Sequence, residues 1–313
     1  MSVSSMTASE VNATLWGAAV NGTVAFTMTD GAASQIRLLQ NWVCSTRAVN
    51  LTGVIWALDG TTLLVARGMD VPAVYLPEIT SHAEGLGAWK EPGNPFYFSV
   101  VSMKPRLMAY VLEQGLGVLF LDVDLGIVAD PRPYLAALHA DIVVSSNYPQ
   151  PLVNTGVTAL KTSALPLVRH WVGTERWSKC RSWECGDQEV LTRILQDECG
   201  RSDIGFQQGV GASGKQQVTA ERWARANQRI ELRCHLSGPE QTLEVTLEVL
   251  SPRHVATGWG ADNNSTSFLD GPELKIFHPN FSGLREGHKE HMLRTRSKQR
   301  SRAKPGSRPF WCL

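Results

Sequence analysis

Val118-Leu119-Phe120-Leu121-Asp122-Val123-Asp124-Leu125-Gly126 runs four apolar residues into two carboxylates one residue apart. A strand buried on both faces of a parallel sheet is nearly all apolar, and Val118 to Leu121 obeys that rule. Asp122 and Asp124 break it. In open α/β sheets the carboxyl ends of the strands line the ligand crevice, so acids placed there face a site instead of the core. If the extended backbone continues through them, period-two geometry puts both side chains on one side. Two close carboxylates repel unless a positive charge lies between them, and a hard divalent cation, magnesium or manganese, meets that need. Such ions keep positions open for substrate phosphates, so D-x-D at a strand end points to a metal-bridged diphosphate. The alternative at this point is structural: one Asp caps the following turn and the other pairs with a Lys or Arg.

Outward from this stretch, short β-rich runs alternate with helical patterns from Val24 to about Leu195, as in a parallel-type sheet covered by helices. The runs predict strands at 24–29, 53–58, 73–76, 118–123, 141–146 and 155–160. Ile36, Leu39, Trp42 and Val43 share one helical face, and Met103, Leu107, Tyr110 and Val111 share another in a helix that ends at Gly115. After Cys199 the Gly/Ser/Gln-rich "GRSDIGFQQGVGASGKQQ" predicts a flexible insertion at about 200–220. "RIELRCHL" and "QTLEVTLEVL" then alternate like half-exposed strands, and "ELKIFHPN" gives a short strand ending at His278.

The 313 residues are 43% hydrophobic, enough for a substantial core. No run approaches the roughly 18–20 apolar residues of a membrane span, and the amino terminus lacks a signal pattern, so the chain as written reads as soluble. Asn12, Asn21, Asn50, Asn263, Asn264 and Asn280 each open an N-x-S/T acceptor triplet, a density that favours a lumenal protein whose anchor lies outside this sequence. Cys44, Cys180, Cys185, Cys199, Cys234 and Cys312 show no C-x-x-C spacing, which argues against structural zinc. One disulfide among Cys180, Cys185 and Cys199, or buried free thiols, are both open readings. Residues 288–313 carry eight Lys/Arg against one acid, a basic tail expected to be disordered, with no nucleic-acid partner expected.

The neighbours of the aspartates carry more than the pair. "KPRLMAYVLEQGLGVLFLDVDLGIVADPRPYL" resembles the nucleotide-diphospho-sugar transferase family that includes rhamnogalacturonan II xylosyltransferases and extensin arabinosyltransferases, in which a Lys-containing helix, a Gly, an apolar strand, D-x-D and a P-x-P-Y/F turn follow in this order. "LLQNWVCSTRAVNLTGVIWALDG" upstream, and "VNTGVTALK", "CGDQEVLTRIL" and "IFHPNFSGLREGHK" downstream, extend the similarity over about residues 23–292. The resemblance implies an α/β fold with a single Rossmann-like mixed sheet flanked by helices, the glycosyltransferase A-type fold. It sets the expected domain at 23–292, between an N-terminal segment 1–22 that is possibly truncated and a tail at 293–313. The activity it implies is metal-dependent, retaining transfer of a sugar from a UDP-sugar to a glycan or glycoprotein in the Golgi lumen, with a membrane contact only through an anchor that this sequence does not contain.

By that resemblance Asp124 binds Mn2+ (or Mg2+) directly, Asp122 holds the ribose or a metal-bound water, and His278 completes the metal shell. Lys104 and Arg106 are candidates to neutralise phosphate, as is Lys289, which lies about one residue later than the family pattern expects. Asn154, Asp187 and Gln188 are expected against the donor sugar, although Asp187 also stands where a helix cap would. Thr29, Asp30 and Asp59, at the ends of the first two strands, are the expected contacts of the uracil and ribose. Two other functions fit part of the pattern. "VLFLDVD" matches the nucleophile strand of haloacid-dehalogenase-type phosphatases, with Asp122 as nucleophile, but that motif usually opens its domain and Leu191 stands where a second metal-binding acid is needed. A non-catalytic nucleotide-sugar-binding relative is the third reading.

Overall fold

The computed structural model describes residues 5–80, 99–147, 152–177, 186–204, 225–236, 242–257 and 273–279, with single positions at 219, 222, 293, 294 and 297. Lys289, Cys180, Cys185, most of the 200–220 stretch and nearly all of the basic tail lie outside them. The first half runs α1 (Ala8–Ala18), β1 (Thr23–Thr29), α2 (Ala33–Ala48), β2 (Val54–Ala57), α3 (Gly60–Gly68), β3 (Ala73–Val74), α4 (Pro77–Thr80), α5 (Met103–Glu113) and β4 (Gly117–Leu121). The second runs β5 (Gly126–Ile127), α6 (Arg132–Ala136), β6 (Ile142–Ser146), β7 (Val153–Leu160), α7 (Leu165–Gly173), α8 (Asp187–Asp197), β8 (Gln228–His235), β9 (Thr242–Leu250), β10 (Val255–Thr257) and β11 (Ile276–His278).

Eight strands form one mixed sheet in the order β3-β2-β1-β4-β7-β6-β9-β8. β3, β2, β1 and β4 are parallel, while β7 runs antiparallel to both β4 and β6. This is the mixed α/β class that the sequence led us to expect, and the six strands expected between residues 24 and 160 are all present. A smaller sheet, β10-β11-β5, packs beside it.

The alternation within β4 sorts its side chains between two cores. Val118 and Phe120 join Phe26, Trp56, Leu107 and Val111 on one face, while Leu119 and Leu121 join Ile55, Leu39, Trp42 and Phe277 on the other. Both faces being covered explains why β4 reads as continuous apolar sequence. α1 supplies Val11, Leu15 and Ala18 to the first core, so the packed unit includes a helix ahead of residue 23. A Thr7–Glu10 capping box starts that helix. Trp42, fully buried, lies directly against Gly53, where a Cβ would stand 2.4 Å from the ring.

One expectation is corrected, and the open reading of Cys199 is closed. β4 ends at Leu121, and Asp122 to Leu125 form a turn closed by Leu125 N–H donating to the Asp122 carbonyl at 3.2 Å. The two acids therefore converge through a turn and not by strand alternation. Cys199 is disulfide-bonded to Cys234, 35 residues on, and Cys44 is also disulfide-bonded. The partner of Cys199 was not legible because it sits on β8, which comes alongside the end of α8 through His235 N–H donating to the Glu198 carbonyl at 2.9 Å. Closing a loop of that length stabilises the fold by about 3–4 kcal/mol on a chain-entropy argument.

Candidate active site at the carboxyl edge of the sheet

Three elements bring the acidic cluster together. The turn after β4 presents Asp122 and Asp124, with Asp122 N–H donating to the Gly156 carbonyl of β7 at 2.8 Å. β11 pairs antiparallel with β5, setting Phe277 opposite Gly126, and this delivers His278 beside the turn from 154 residues downstream of Asp124. His278 Nε2 stands 3.3 Å from Asp124 Oδ1 and 3.6 Å from Asp122 Oδ2. One donor atom from each residue lies within 4.8 Å of the others. Asp124 and His278 are buried, and Asp122 is partly open.

Two carboxylates and an imidazole form the donor set expected for a manganese- or magnesium-type ion, with room left for ligand oxygens. The imidazole is not tied up elsewhere: its Nδ1 is buried without a hydrogen-bond partner among the described residues. The three side chains thus fit a divalent cation.

Beside this cluster is a buried ion-pair network. Lys104 Nζ, on α5, contacts Asp187 Oδ2 at 2.5 Å and Asp122 Oδ1 at 3.1 Å, donates to Thr155 Oγ1 at 3.4 Å, and lies 4.8 Å from the Phe120 ring centroid. Thr155 Oγ1 also donates to Asp187. Burial pushes the Lys104 ammonium toward neutrality, but Asp122 and Asp187 outweigh it and raise its pKa, so Lys104 stays charged. Lys104 therefore acts on carboxylates first, where the sequence suggested phosphate. Arg106 is not brought to the site. Two residues further along the helix, it lies on the exposed side of α5.

Asp187 is the first residue of α8, but Gly186 holds the N-cap position and the helix has no side-chain cap bond. Its carboxylate is committed to Lys104 and Thr155, so the capping explanation fails. Gln188 turns its amide to Glu189 Oε1 at 2.9 Å. Asn154, fully buried on β7, accepts from Gly156 N–H at 2.9 Å and from Ser145 Oγ at 3.1 Å. Its oxygen thereby shapes the strand that backs the cluster.

Thr29, Asp30 and Asp59 stand at the ends of adjacent strands β1 and β2, as expected. Asp59 is already engaged: Oδ1 caps α3 through Thr62 N–H at 2.7 Å, and Oδ2 accepts from Gly31 N–H at 2.7 Å. Asp30 Oδ1 accepts from Ala32 N–H at 3.1 Å, and burial, with a smaller push from Asp59, raises its pKa. Thr29 is buried and donates to the Asp30 carbonyl at 3.3 Å.

Thr155, Gly156 and Glu189 are site residues that sequence reasoning passed over. The first two flank Asn154 in "VNTGV", and Glu189 follows the D-Q pair. Glu189 is 4% exposed, and burial pushes its carboxyl up to about 7, against the opposing Gln188 hydrogen bond. The folded chain therefore holds a proton between pH 4.5 and about 7 that the unfolded chain releases, so stability is lost as pH rises through that window. Glu189→Gln is expected to flatten this slope and to gain on the order of 2–3 kcal/mol at pH 8. Urea unfolding at pH 5 and pH 8 checks it; an unchanged difference between the two pH values contradicts the burial account.

The fold and the site define an α/β protein that presents an Asp–Asp–His cluster able to hold a metal ion and a buried Lys–Asp pair at the carboxyl ends of its strands. A profile described as nucleotide-diphospho-sugar transferase matches residues 52–280, and the chain belongs to that family. It is thus a glycosyltransferase by family, which sets aside the phosphatase reading. No curated protein sequence matches the chain. Among solved structures, mouse xyloside xylosyltransferase 1 in its apo form is similar at 13% identity and a TM-score of 0.47, over 82% of this chain and 97% of that one. The apo glycosyltransferase GlyE of Streptococcus pneumoniae TIGR4 is similar at 13% identity and a TM-score of 0.43, over 83% and 54%. The galactosyltransferase LgtC, solved with donor and acceptor sugar analogs, is similar at 10% identity and a TM-score of 0.41, over 88% and 95%. These likenesses are too distant to carry any residue of the site.

Proposed function

We propose that the protein transfers a sugar, with retention of configuration, from a UDP-sugar to a glycan or glycoprotein acceptor. The observation that carries this reading is the convergence of Asp122, Asp124 and His278 beside the Lys104–Asp187 pair. A Mn2+ or Mg2+ ion held by those three side chains would offset the charge that grows on the departing diphosphate. The ion pair with Lys104 and the Thr155 hydrogen bond fix the Asp187 carboxylate toward the region where a donor sugar carrying cationic character would lie. Asn154 and Gln188 flank that region, and Thr29, Asp30 and Asp59 line the adjacent strand ends proposed for the nucleoside. In this role Asp59 would add a ligand contact to the cap it already makes. Arg106 and Lys289 remain proposed phosphate contacts, with Arg106 requiring a ligand that reaches the exposed side of α5.

The Golgi lumen is the proposed location. The Cys199–Cys234 disulfide supports an oxidising compartment, and Asn21 and Asn50, in two of the acceptor triplets, are exposed in turns. Among the described residues no helix is long and apolar enough to cross a membrane. The proposed domain keeps its span of about 23–292, with α1 packed against it.

The test is UDP release from a panel of UDP-sugars, with Mn2+ and with EDTA. Release that depends on Mn2+ and on a glycan acceptor is expected. Tight UDP-sugar binding without release would point instead to a non-catalytic binding protein.

A further inference from the structure

We infer that Gly156 sets the room in which the metal ligands close, making it a positioning residue for the proposed ion; this rests on the metal-dependent reading above. A Cβ at position 156 would stand 2.3 Å from His278 Cε1, 2.7 Å from His278 Nδ1 and 2.7 Å from Asp122 Oδ2. Real Cβ contacts essentially never fall under 3.0 Å, so a methyl group must displace the imidazole, the carboxylate or both. Two of the three candidate ligands thus rest against the space left by one absent side chain.

The backbone at Gly156 is held by hydrogen bonds at both its carbonyl and its N–H. Its carbonyl accepts from Asp122 N–H at 2.8 Å and its N–H donates to Asn154 Oδ1 at 2.9 Å. On its carboxyl side, Val157 is in register with Leu121 of β4. Positive φ is not the reason for glycine here: Gly22, Gly115 and Gly200 are the described glycines with that conformation, and Gly156 is not among them. Its demand is steric. The His278 ring can approach both carboxylates only because it packs on a bare Cα.

The ring itself is hemmed in. His278 is 3% exposed and ends β11, whose Phe277 is fully buried. Its side chain therefore has little space into which a methyl group could push it without losing its approach to Asp124. Asp122 is partly open and can rotate, but rotation draws Oδ1 away from Lys104 and Oδ2 away from the cluster.

Calorimetric titration of the full chain with Mn2+ at saturating UDP tests the inference. Gly156→Ala is expected to weaken Mn2+ binding by roughly 10–100-fold, the range seen when the support of a metal ligand is lost. In a His278→Ala background, adding Gly156→Ala is expected to cost less than threefold further, because the obstructed ring is gone. Equal Mn2+ affinity in Gly156→Ala and wild type overturns the role of Gly156 alone. Full additivity of the two losses overturns the role through the imidazole, because the only ligand a methyl group would then still meet is Asp122 Oδ2 at 2.7 Å. Absence of Mn2+ binding in the wild type overturns the metal-dependent reading itself. If Gly156→Ala melts well below wild type, adding His278→Ala must restore the melting temperature; failure to restore it counts against the steric account.

Discussion

Asp124→Asn is expected to abolish metal-dependent transfer, lowering kcat/KM by at least about 10²–10³-fold while leaving the chain folded. The two aspartates of the turn are not equivalent. Asp124 is 4% exposed and faces His278 at 3.3 Å, whereas Asp122 is partly open and gives one oxygen to Lys104. We expect Asp124 to be the stronger ligand of the proposed cation, since one oxygen of Asp122 is already paired with Lys104. An amide at 124 keeps the size of the side chain but removes the anion that offsets a divalent cation, so Mn2+ affinity and UDP release should fall together. Asp122→Asn should lose less Mn2+ affinity. It should also loosen Lys104, a change that Asp124→Asn would not cause. Steady-state UDP release over a Mn2+ series checks both variants. If Asp124→Asn keeps its rate within fivefold of wild type, or if Asp122→Asn proves the more damaging for Mn2+ binding, the ligand assignment is wrong.

The acidic pair was legible because it violates a strong local rule: a strand covered on both faces should not end in charge. Its geometry was not legible, because the turn at 122–125 is set by pairing with β7 and by β11 against β5, both non-local. His278 shows the same limit. Nothing within "IFHPN" marks a ligand, and its position follows from the register of β11 on β5; only family resemblance pointed to it. The role of Lys104 is encoded locally. At 3.6 residues per turn Lys104 shares a face with Met108, Val111 and Leu112, all buried, while Arg106 shares one with the exposed Glu113. A lysine on the apolar stripe of a helix needs an acid partner, and two close on it, the buried Asp187 and the partly open Asp122. Asp59 went the other way, since a cap before "GTT" takes one of its oxygens and Gly31 N–H takes the other, both without a ligand. The Cys199–Cys234 bond joins elements 35 residues apart, and no local pattern encodes such a pairing.

Lys104→Met is expected to cost about 3–5 kcal/mol of folding stability, as removal of one partner from a buried ion pair does. The ammonium is 5% exposed, and two carboxylates, one of them 9% exposed, close on it at 2.5 and 3.1 Å. Methionine fills most of the volume against Phe120 but leaves Asp187 charged and buried, with Thr155 as its remaining described donor. The loss therefore comes from an uncompensated anion more than from packing, which fixes the outcome of a second substitution. Lys104→Met/Asp187→Asn should recover most of the stability, because a neutral amide in place of the anion removes the uncompensated charge and can still accept from Thr155. The two single losses should accordingly fail to add, with a coupling of about 1–3 kcal/mol in urea-unfolding measurements. Activity should part from stability in the same set. The double variant regains its fold but not its transfer rate, since the carboxylate proposed to face the donor sugar is gone. A Lys104→Met cost below about 1 kcal/mol would mean that the pair is solvated in the working protein. A double variant as unstable as the sum of its parts would mean that Lys104 supports the fold through its methylene stem and not through its charge.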